Sequence, residues 1–260
     1  GETEGVFQME SGGMTQTAVN LQLESLEDII AIISVYRPGP MDSIPTYIAN
    51  RHNPQNIRYK TPQLAHILDV TNGCIVYQEQ VMQICRELAG FSYGQADLVR
   101  RAMSKKKQAV MDAERRHFVY GSTEPGRECP GCVNNGISAE VANSIYDEMS
   151  SFASYAFNKS HAACYAVVAY QTAYLKCHYP CQFMAALLTS VLDNTNKVIQ
   201  YTAECSRLGI RLLAPDINES DVGFTVQGGD IRFGLLALKN VGRNLIEAVV
   251  RARTLNGPYQ

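Results

Sequence analysis

The chain lacks a strong excess of charge and a hydrophobic run long enough to span a bilayer. Its 23 Lys and Arg residues nearly balance its 25 Asp and Glu residues, and the formal net charge is -2. These values exclude a generally basic, nucleic-acid-coating surface. The least charged run, residues 160–175, is shorter than the ~20 residues that a membrane span requires. We therefore expect a soluble globular protein without a membrane segment, in which this run forms a buried core helix.

Recognisable catalytic sets are also missing. The sequence contains no Asp-x-Asp pair, no P-loop and no plausible nucleophile with its base. Two-metal chemistry would need carboxylates that this chain does not supply in recognisable form. Residues 1–36 contain no Lys or Arg, whereas residues 100–107 carry five positive charges and no negative one. This uneven distribution predicts one local anion-binding site.

The eight cysteines are scattered and do not form a disulfide framework. Several lie in apolar helical runs, so we expect a reducing, cytoplasmic environment in which most thiols are small core residues. Cys129 and Cys132 have the spacing of a zinc half-site, but no second Cys-x-x-Cys pair follows. The two alternatives are a metal ligand pair and a surface loop with two exposed thiols, and the sequence favours the loop.

Hydrophobic periodicity predicts a mainly α-helical chain as far as about residue 209. Residues 78–89 have one apolar face and end at Gly90, which indicates a helix with a glycine just beyond its C-terminus. Capping boxes are predicted at Ser25 and at Ser92. Ser104 is expected to cap the helix that follows. Proline-rich residues 37–73 predict a loop-rich subdomain.

The pattern changes after residue 209. A short strand is expected at residues 210–213, followed by a β-hairpin around Gly228 and Gly229. Two helices joined by a tight turn at Val241 and Gly242 then resemble a helix-hairpin-helix, with a plain packing hairpin as the alternative. We place a domain boundary near residue 214, so that residues 1–213 and 214–260 form separate regions.

A polar cluster, Asn158 to His161, precedes the long apolar helix. Ser160 is the expected N-cap and Pro180 the expected stop. The first turn of a helix offers unsatisfied N–H groups and a partial positive charge, so an anion would bind there. With Tyr155 and Phe157 available to stack on a base, the functional interpretation is a binding surface. The alternative is an N-cap whose aromatic neighbours fill the core, but a lysine opposing the helix dipole favours binding.

The basic run can also be interpreted in two ways. Guanidinium groups bind phosphates through paired hydrogen bonds and ammonium groups add point charges, so the run could clamp a polyphosphate. Helix C-termini favour cations in any case, and composition alone favours such a solvated helix end. The residues concerned are Arg100, Arg101, Lys105, Lys106 and Lys107.

Several long stretches carry a family resemblance, in fixed order over nearly the whole chain. They are GVFQMES at 5–11, YRPGP at 36–40, IVYQEQVMQI at 75–84, ADLVRRAMSKKK at 96–107, FNKSHAACYA at 157–166 and FMAALLTSVLDNT at 183–195. With these stretches the chain resembles the C-family of bacterial replicative DNA polymerases, the alpha subunits of DNA polymerase III.

The resemblance implies a multi-helix fingers domain, followed by a small β-hairpin and the start of a duplex-binding helix-hairpin-helix region. It implies templated nucleotidyl transfer, in which a primer 3′ hydroxyl attacks the α-phosphate of a dNTP with the help of two Mg²⁺ ions. The palm of the full-length enzyme holds those ions. The ends of the chain suggest an excised fragment. Because the resemblance places the metal-binding aspartates in the palm, outside this region, we expect no cofactor in the fragment and no activity from it alone.

The resemblance also assigns residues. It implies that Arg100 and Arg101 contact the triphosphate, with the three lysines 105–107 nearby. The nascent base pair is expected against Tyr155, Asn158, Lys159 and His161.

At the C-terminal hairpin, Val241, Gly242 and Arg243 would hold a DNA phosphate, although Asn240 stands where the family has its first hairpin glycine. Expected partners are dNTP, primer-template DNA and, through the full-length protein, the sliding clamp and other replisome subunits. The alternative function is a non-catalytic DNA-binding module that acts through this hairpin.

Overall fold

The computed structural model describes residues 1–38, 40–153 and 156–260, which form two compact units. The first unit is Gln16–Val167, and the second unit combines Gly1–Thr15 with Val168–Gln260. Most of the described residues are helical and the strands form one small sheet, so the predicted fold class is confirmed.

The α-helices of the described residues follow one another closely along the chain. In order they are α1 Gly12–Leu21, α2 Leu26–Val35, α3 Ile44–His52, α4 Ala65–Leu68, α5 Gln78–Ala89, α6 Tyr93–Ser104, α7 Gln108–Tyr120, α8 Gly131–Asn134, α9 Ala139–Ala153, α10 Lys159–His178, α11 Pro180–Ser190, α12 Thr195–Arg207 and α13 Arg243–Asn256. Between residues 40 and 71, α3 and α4 alternate with short 3₁₀ turns, as expected for a loop-rich segment.

Helix starts are fixed by the predicted capping boxes. Ser25 Oγ accepts from the Asp28 N–H at 3.2 Å, and Asp28 Oδ2 accepts from the Ser25 N–H at 3.0 Å. Ser92 and Gln95 form the same reciprocal pair at the start of α6. Each pair satisfies two N–H groups that the helix itself leaves unbonded. At the end of α5, Gly90 has φ 74°, which confirms its predicted place beyond the C-terminus.

The core of the first unit lies between α5, α6, α7 and α9. Its largest fully buried side chains include Ile84, Leu88, Phe118 and Tyr146. Phe118 contacts the Tyr146 ring, with centroids 5.5 Å apart. This packing holds the start of α5 and the end of α6 on one rigid base.

The prediction that Ser104 caps a helix is wrong. Helix α6 continues through Ser104 and ends in a Schellman motif, in which the Lys107 N–H donates to Ala102 O and the Lys106 N–H to Met103 O. Lys106 takes the left-handed conformation, φ 51°, that this motif requires. A serine between two helical stretches can belong to the end of the first helix or cap the second, and its identity alone does not show which.

Helix α10 differs from its prediction in two ways. It begins at Lys159, and Asn158 rather than Ser160 is its cap, because Asn158 Oδ1 accepts from the His161 N–H at 2.9 Å. It is not a buried core helix, since most of its large apolar side chains, such as Tyr170 and Leu175, are exposed, while the small Ala162, Ala166 and Ala169 are buried. Apolar residues lie on all sides of this helix, so its periodicity does not show which side is covered. No helix in the described ranges is both long and apolar enough to cross a membrane.

The second unit contains a three-stranded sheet with the strand order β1-β3-β2. The strands are β1 Leu212–Leu213, β2 Thr225–Gln227 and β3 Asp230–Arg232. Strands β2 and β3 form the predicted antiparallel hairpin, whose turn residues Gly228 and Gly229 both have positive φ. The sequence did not indicate that β1 pairs with β3 in parallel, because that pairing joins residues about twenty positions apart.

The core of the second unit lies between α11, α12 and the sheet. Its fully buried members include Met184, Leu188, Cys205 and Ile231. The domain boundary near residue 214 stays a prediction, because it divides the chain by expected function, whereas the compact units divide it by packing.

The Cys-Pro-Gly-Cys segment is not a loop with two exposed thiols. Cys132 is fully buried in the first unit's core, and burial raises the pKa of its thiol to about 12. Cys129 is half-buried, and its Sγ lies 3.7 Å from His117 O. Gly121 and Gly131, both with positive φ, allow the backbone segments to approach closely there.

Candidate nucleotide-binding and DNA-binding sites

A short backbone ladder places the starts of α5 and α10 side by side. Tyr77 pairs with Phe157 in a parallel bridge. The Gln78 N–H donates to Phe157 O at 2.9 Å, and the Phe157 N–H donates to Val76 O at 3.1 Å. Residues 80 positions apart are thereby joined, so side chains of both helix starts can face one site.

The N-terminus of α10 is already occupied by a carboxylate. The Lys159 N–H donates to both oxygens of Glu79 at 3.1 Å, and Asn158 Nδ2 donates to Glu79 Oε1 at 3.2 Å. The sequence predicted that this helix end would attract an anion, and the chain provides that anion itself. Glu79 was missed because only the ladder brings it to α10.

The lysine at the first position of α10 also has partners. Lys159 Nζ lies 3.0 Å from Glu27 Oε2 and 5.3 Å from the centre of the Tyr77 ring. Burial raises the pKa of Tyr77, so its ring is a neutral surface for the ammonium group. The conflict between this lysine and the helix dipole is thus offset by contacts within the first unit.

Planar groups follow one another from Arg37 to Tyr165. The Arg37 guanidinium lies 4.2 Å above the Phe157 ring, Phe157 meets the His161 ring edge-on at 5.4 Å, and His161 lies 4.3 Å from Tyr165. Burial lowers the pKa of Arg37. Arg37 was missed as a site residue, although it belongs to the YRPGP stretch that carries the resemblance. Tyr155 lies outside the described residues, so its placement beside this row stays a prediction.

Arg100 and Arg101 share one carboxylate. Arg100 donates to Asp97 Oδ1 through Nε at 2.9 Å and Nη2 at 2.7 Å, and Arg101 Nη2 lies 2.7 Å from Asp97 Oδ2. The side chain of Arg100 is 25% exposed and that of Arg101 is 57% exposed. Asp97 thus neutralises part of the pair and fixes both guanidinium groups on α6.

A side-chain amide connects the arginine pair to the start of α10. Arg100 Nη1 donates to Gln78 Oε1 at 3.1 Å, and Gln78 Nε2 donates to Ala156 O at 3.1 Å. The structure thereby brings Arg100 into the same site as Asn158, Lys159 and His161.

The three lysines extend this charge along the end of α6. Lys105, Lys106 and Lys107 are exposed, and no ion pair among the described residues engages their ammonium groups. Arg101, Lys105 and Lys107 line a hollow of about 260 Å³ beside Leu98 and Val110. A helix C-terminus stabilises cations, so they can remain charged there without carboxylate partners.

The predicted DNA-binding hairpin lies in the second unit. Asn240 has φ 63°, a left-handed conformation that asparagine tolerates better than most residues, and Gly242 is the N-cap of α13. Arg243 is 60% exposed, with Glu247 Oε1 3.6 Å from its Nη1. Val241 instead faces an apolar cavity of about 330 Å³. Asparagine can therefore form the turn where the family has glycine.

Metal ions in proteins are held by clusters of ligand side chains. No group of three or more His, Cys, Asp or Glu side chains in the described ranges is placed to hold one. The two carboxylates nearest the arginine pair and the start of α10, Asp97 and Glu79, are engaged by guanidinium and N–H donors.

Comparison with known proteins covers both halves of the chain. The bacterial DNA polymerase III alpha subunit finger domain matches residues 1–126, and a helix-hairpin-helix motif matches residues 209–260. The DNA polymerase III subunit alpha of Thermus aquaticus is 48% identical over 265 residues, which cover 100% of this chain and 21% of the relative. That of Bacillus subtilis is 46% identical over 97% of this chain and 22% of the relative. The chain belongs to the bacterial DNA polymerase III alpha subunit family.

The matched regions contain several of the predicted site residues. Arg100, Arg101 and the three lysines fall in the finger-domain match, and Val241 to Arg243 fall in the helix-hairpin-helix match. Asn158, Lys159 and His161 lie between the two matches. The chain spans about a fifth of the length of the curated relatives that it matches.

Proposed function

We propose that this chain is the fingers portion of a DNA-directed DNA polymerase and that it binds the triphosphate of the incoming dNTP. The observation that carries the proposal is the arginine pair on Asp97, followed along the chain by three lysines without carboxylate partners. A triphosphate concentrates several negative charges, and fixed guanidinium and ammonium groups stabilise such charges without reorganising.

In the proposed reaction the primer 3′ hydroxyl attacks the α-phosphate and pyrophosphate leaves. Arg101 and the lysines would neutralise the β- and γ-phosphates, which favours departure of pyrophosphate. The nascent base pair would be bordered by Asn158, Lys159 and His161. A base could stack on the rings of Phe157 and His161. The residues that hold Mg²⁺ would lie in another part of the longer protein.

Removal of the two arginine charges in the full-length polymerase tests the proposed triphosphate binding. An Arg100→Ala plus Arg101→Ala variant is expected to raise the KM for dNTP by at least about tenfold, since each charged hydrogen bond contributes ~1.5–3 kcal/mol. Arg58→Ala is the control, because the hydrogen bonds of Arg58 within the described ranges go to the nearby backbone carbonyls of Gln55 and Ile57. An unchanged KM in the double variant would reject triphosphate binding by the arginine pair.

The isolated chain is proposed to be inactive. With primer-template, dNTP and Mg²⁺ it should give no primer extension, because the metal-binding carboxylates would belong to the palm. Extension by the pure chain would contradict this part of the proposal. The sliding clamp, other replisome subunits and a cytoplasmic location are likewise proposed for the longer protein.

A second candidate function is DNA binding through the hairpin at Val241, Gly242 and Arg243. The motif match and the exposure of Arg243 favour it. Backbone N–H groups of such a hairpin hold a phosphate without reading sequence. Arg243→Ala should weaken duplex binding and reduce its salt slope by about one, whereas Arg211→Ala should not. An unchanged slope would indicate that the hairpin only packs.

A further inference from the structure

We propose that Gln78 is a positioning residue that couples the two halves of the nucleotide site. This inference rests on the proposed function. Gln78 is the first residue of α5, and its side chain makes one contact to each half. Its Oε1 accepts from Arg100 Nη1 at 3.1 Å, and its Nε2 donates to Ala156 O at 3.1 Å.

The backbone of Gln78 strengthens the same connection. Its N–H donates to Phe157 O at 2.9 Å, so backbone and side chain together engage two successive carbonyl groups, those of Ala156 and Phe157. Asn158 follows directly and caps α10. A displacement of this short segment would therefore move the cap and the first turn of α10 together.

On the other side, Arg100 has few ways to move. Its three guanidinium nitrogens donate to Asp97 or Gln78, and its side chain is only 25% exposed. Arg101, by contrast, contacts Asp97 through one nitrogen and is 57% exposed. Arg100 thus relays the position of α6 to Gln78, while Arg101 keeps more donors available for a phosphate.

An amide suits this place because it is both donor and acceptor. A carboxylate at position 78 would keep the acceptor for Arg100 but lose the donor to Ala156 O. Methionine, of similar length, would lose both. The two substitutions therefore separate the Arg100 contact from the Ala156 contact at nearly constant shape.

The test is a set of mutant cycles in the full-length polymerase, with kcat/KM for dNTP incorporation as the readout. In the wild-type background, the loss of kcat/KM in the Arg100→Ala plus Asn158→Ala double variant should differ by about tenfold from the product of the two single-variant losses. In the Gln78→Met background, which loses the Arg100 contact, the two losses should simply multiply. In the Gln78→Glu background, where the Arg100 contact and the backbone bond to Phe157 O remain, the deviation should fall to about threefold. Gln83→Met is the control, since Gln83 lies on the same helix and its side chain donates to exposed Glu87 rather than to either half of the site.

The outcomes separate this inference from the function on which it rests. If Arg100→Ala and Asn158→Ala each leave kcat/KM unchanged, the proposed function fails and the inference with it. If both substitutions lower kcat/KM but are additive in the wild type, or if the deviation from additivity is undiminished in Gln78→Glu, the inference alone is overturned. The Gln78→Glu result decides even if Gln78→Met fails to fold.

Discussion

The backbone N–H of Lys159 donates to both carboxylate oxygens of Glu79, at 3.1 Å each. The positive end of α10 is therefore neutralised within the chain before any ligand binds. A phosphate that approached this helix end would meet Glu79 first. In the proposed function the triphosphate would therefore lie beside Arg101 and the lysines, and the start of α10 would orient the base.

Glu79→Gln should weaken the start of α10. The amide keeps one acceptor but loses the charge that interacts with the helix dipole, so we expect a local loss of about 1 kcal/mol. Hydrogen exchange of the Lys159 amide should accelerate by about fivefold. Glu140→Gln, at an exposed glutamate of α9, is the control. Unchanged exchange at Lys159 would show that the contact does not protect the helix start.

Lys106→Gly should separate stability from nucleotide binding. Lys106 has φ 51°, where glycine is favoured, so the substitution should stabilise the first unit by about 0.5 to 1 kcal/mol. In the full-length polymerase the KM for dNTP should nevertheless rise, because a charge is lost. Lys107→Gly is the matched control, since its φ of -82° gives glycine no advantage. A higher melting temperature with an unchanged KM would exclude Lys106 from the residues that bind the triphosphate.

Thiol reactivity should follow burial. Cys164 and Cys177 are exposed and should be alkylated within minutes at pH 8, whereas Cys132, whose pKa burial raises to about 12, should not react. Fully buried Cys85 should behave like Cys132. Peptide mass spectrometry identifies the modified sites, and all eight cysteines should react in denaturant. Rapid native modification of Cys132 would contradict its placement in the core.

Glu204 should make the second unit sensitive to acid. A hydrogen bond from Arg207, and a further one from buried Lys176, hold the pKa of Glu204 below its ordinary value despite burial. Since the folded-state pKa is lowered, this stabilisation is present above about pH 4.5 and is lost as the pH falls through the folded-state pKa.

Glu204→Gln should therefore destabilise the chain at pH 7, by about 3 kcal/mol because Lys176 loses a buried partner. The difference in stability between this variant and the wild type should be smaller at pH 4. Melting temperatures at both pH values measure this difference, with Glu247→Gln as the control, because the Glu247 side chain on α13 is 44% exposed. An equal difference at both pH values would show that the ionised Glu204 is not the source.

Local signals were sufficient for much of the fold. The capping boxes at Ser25 and Ser92, the glycine after α5 and the Gly228–Gly229 hairpin each depend on a few neighbouring residues, and all are present as predicted. The parallel pairing of β1 with β3 gave no local signal. The buried face of α10 gave no local signal either, because apolar residues lie on every side of that helix.

The sequence by itself determined the helical class, the family and the position of the basic run, because these follow from periodicity, long matching stretches and residue type. Tertiary structure alone decided which groups meet. Asp97 could be placed near both arginines from helical spacing, but Glu79 reaches Lys159, and Gln78 reaches Ala156, only through the ladder between residues 76–78 and 156–157. Contacts between residues some 80 positions apart depend on the packed core that supports them, and no local pattern encodes that distance.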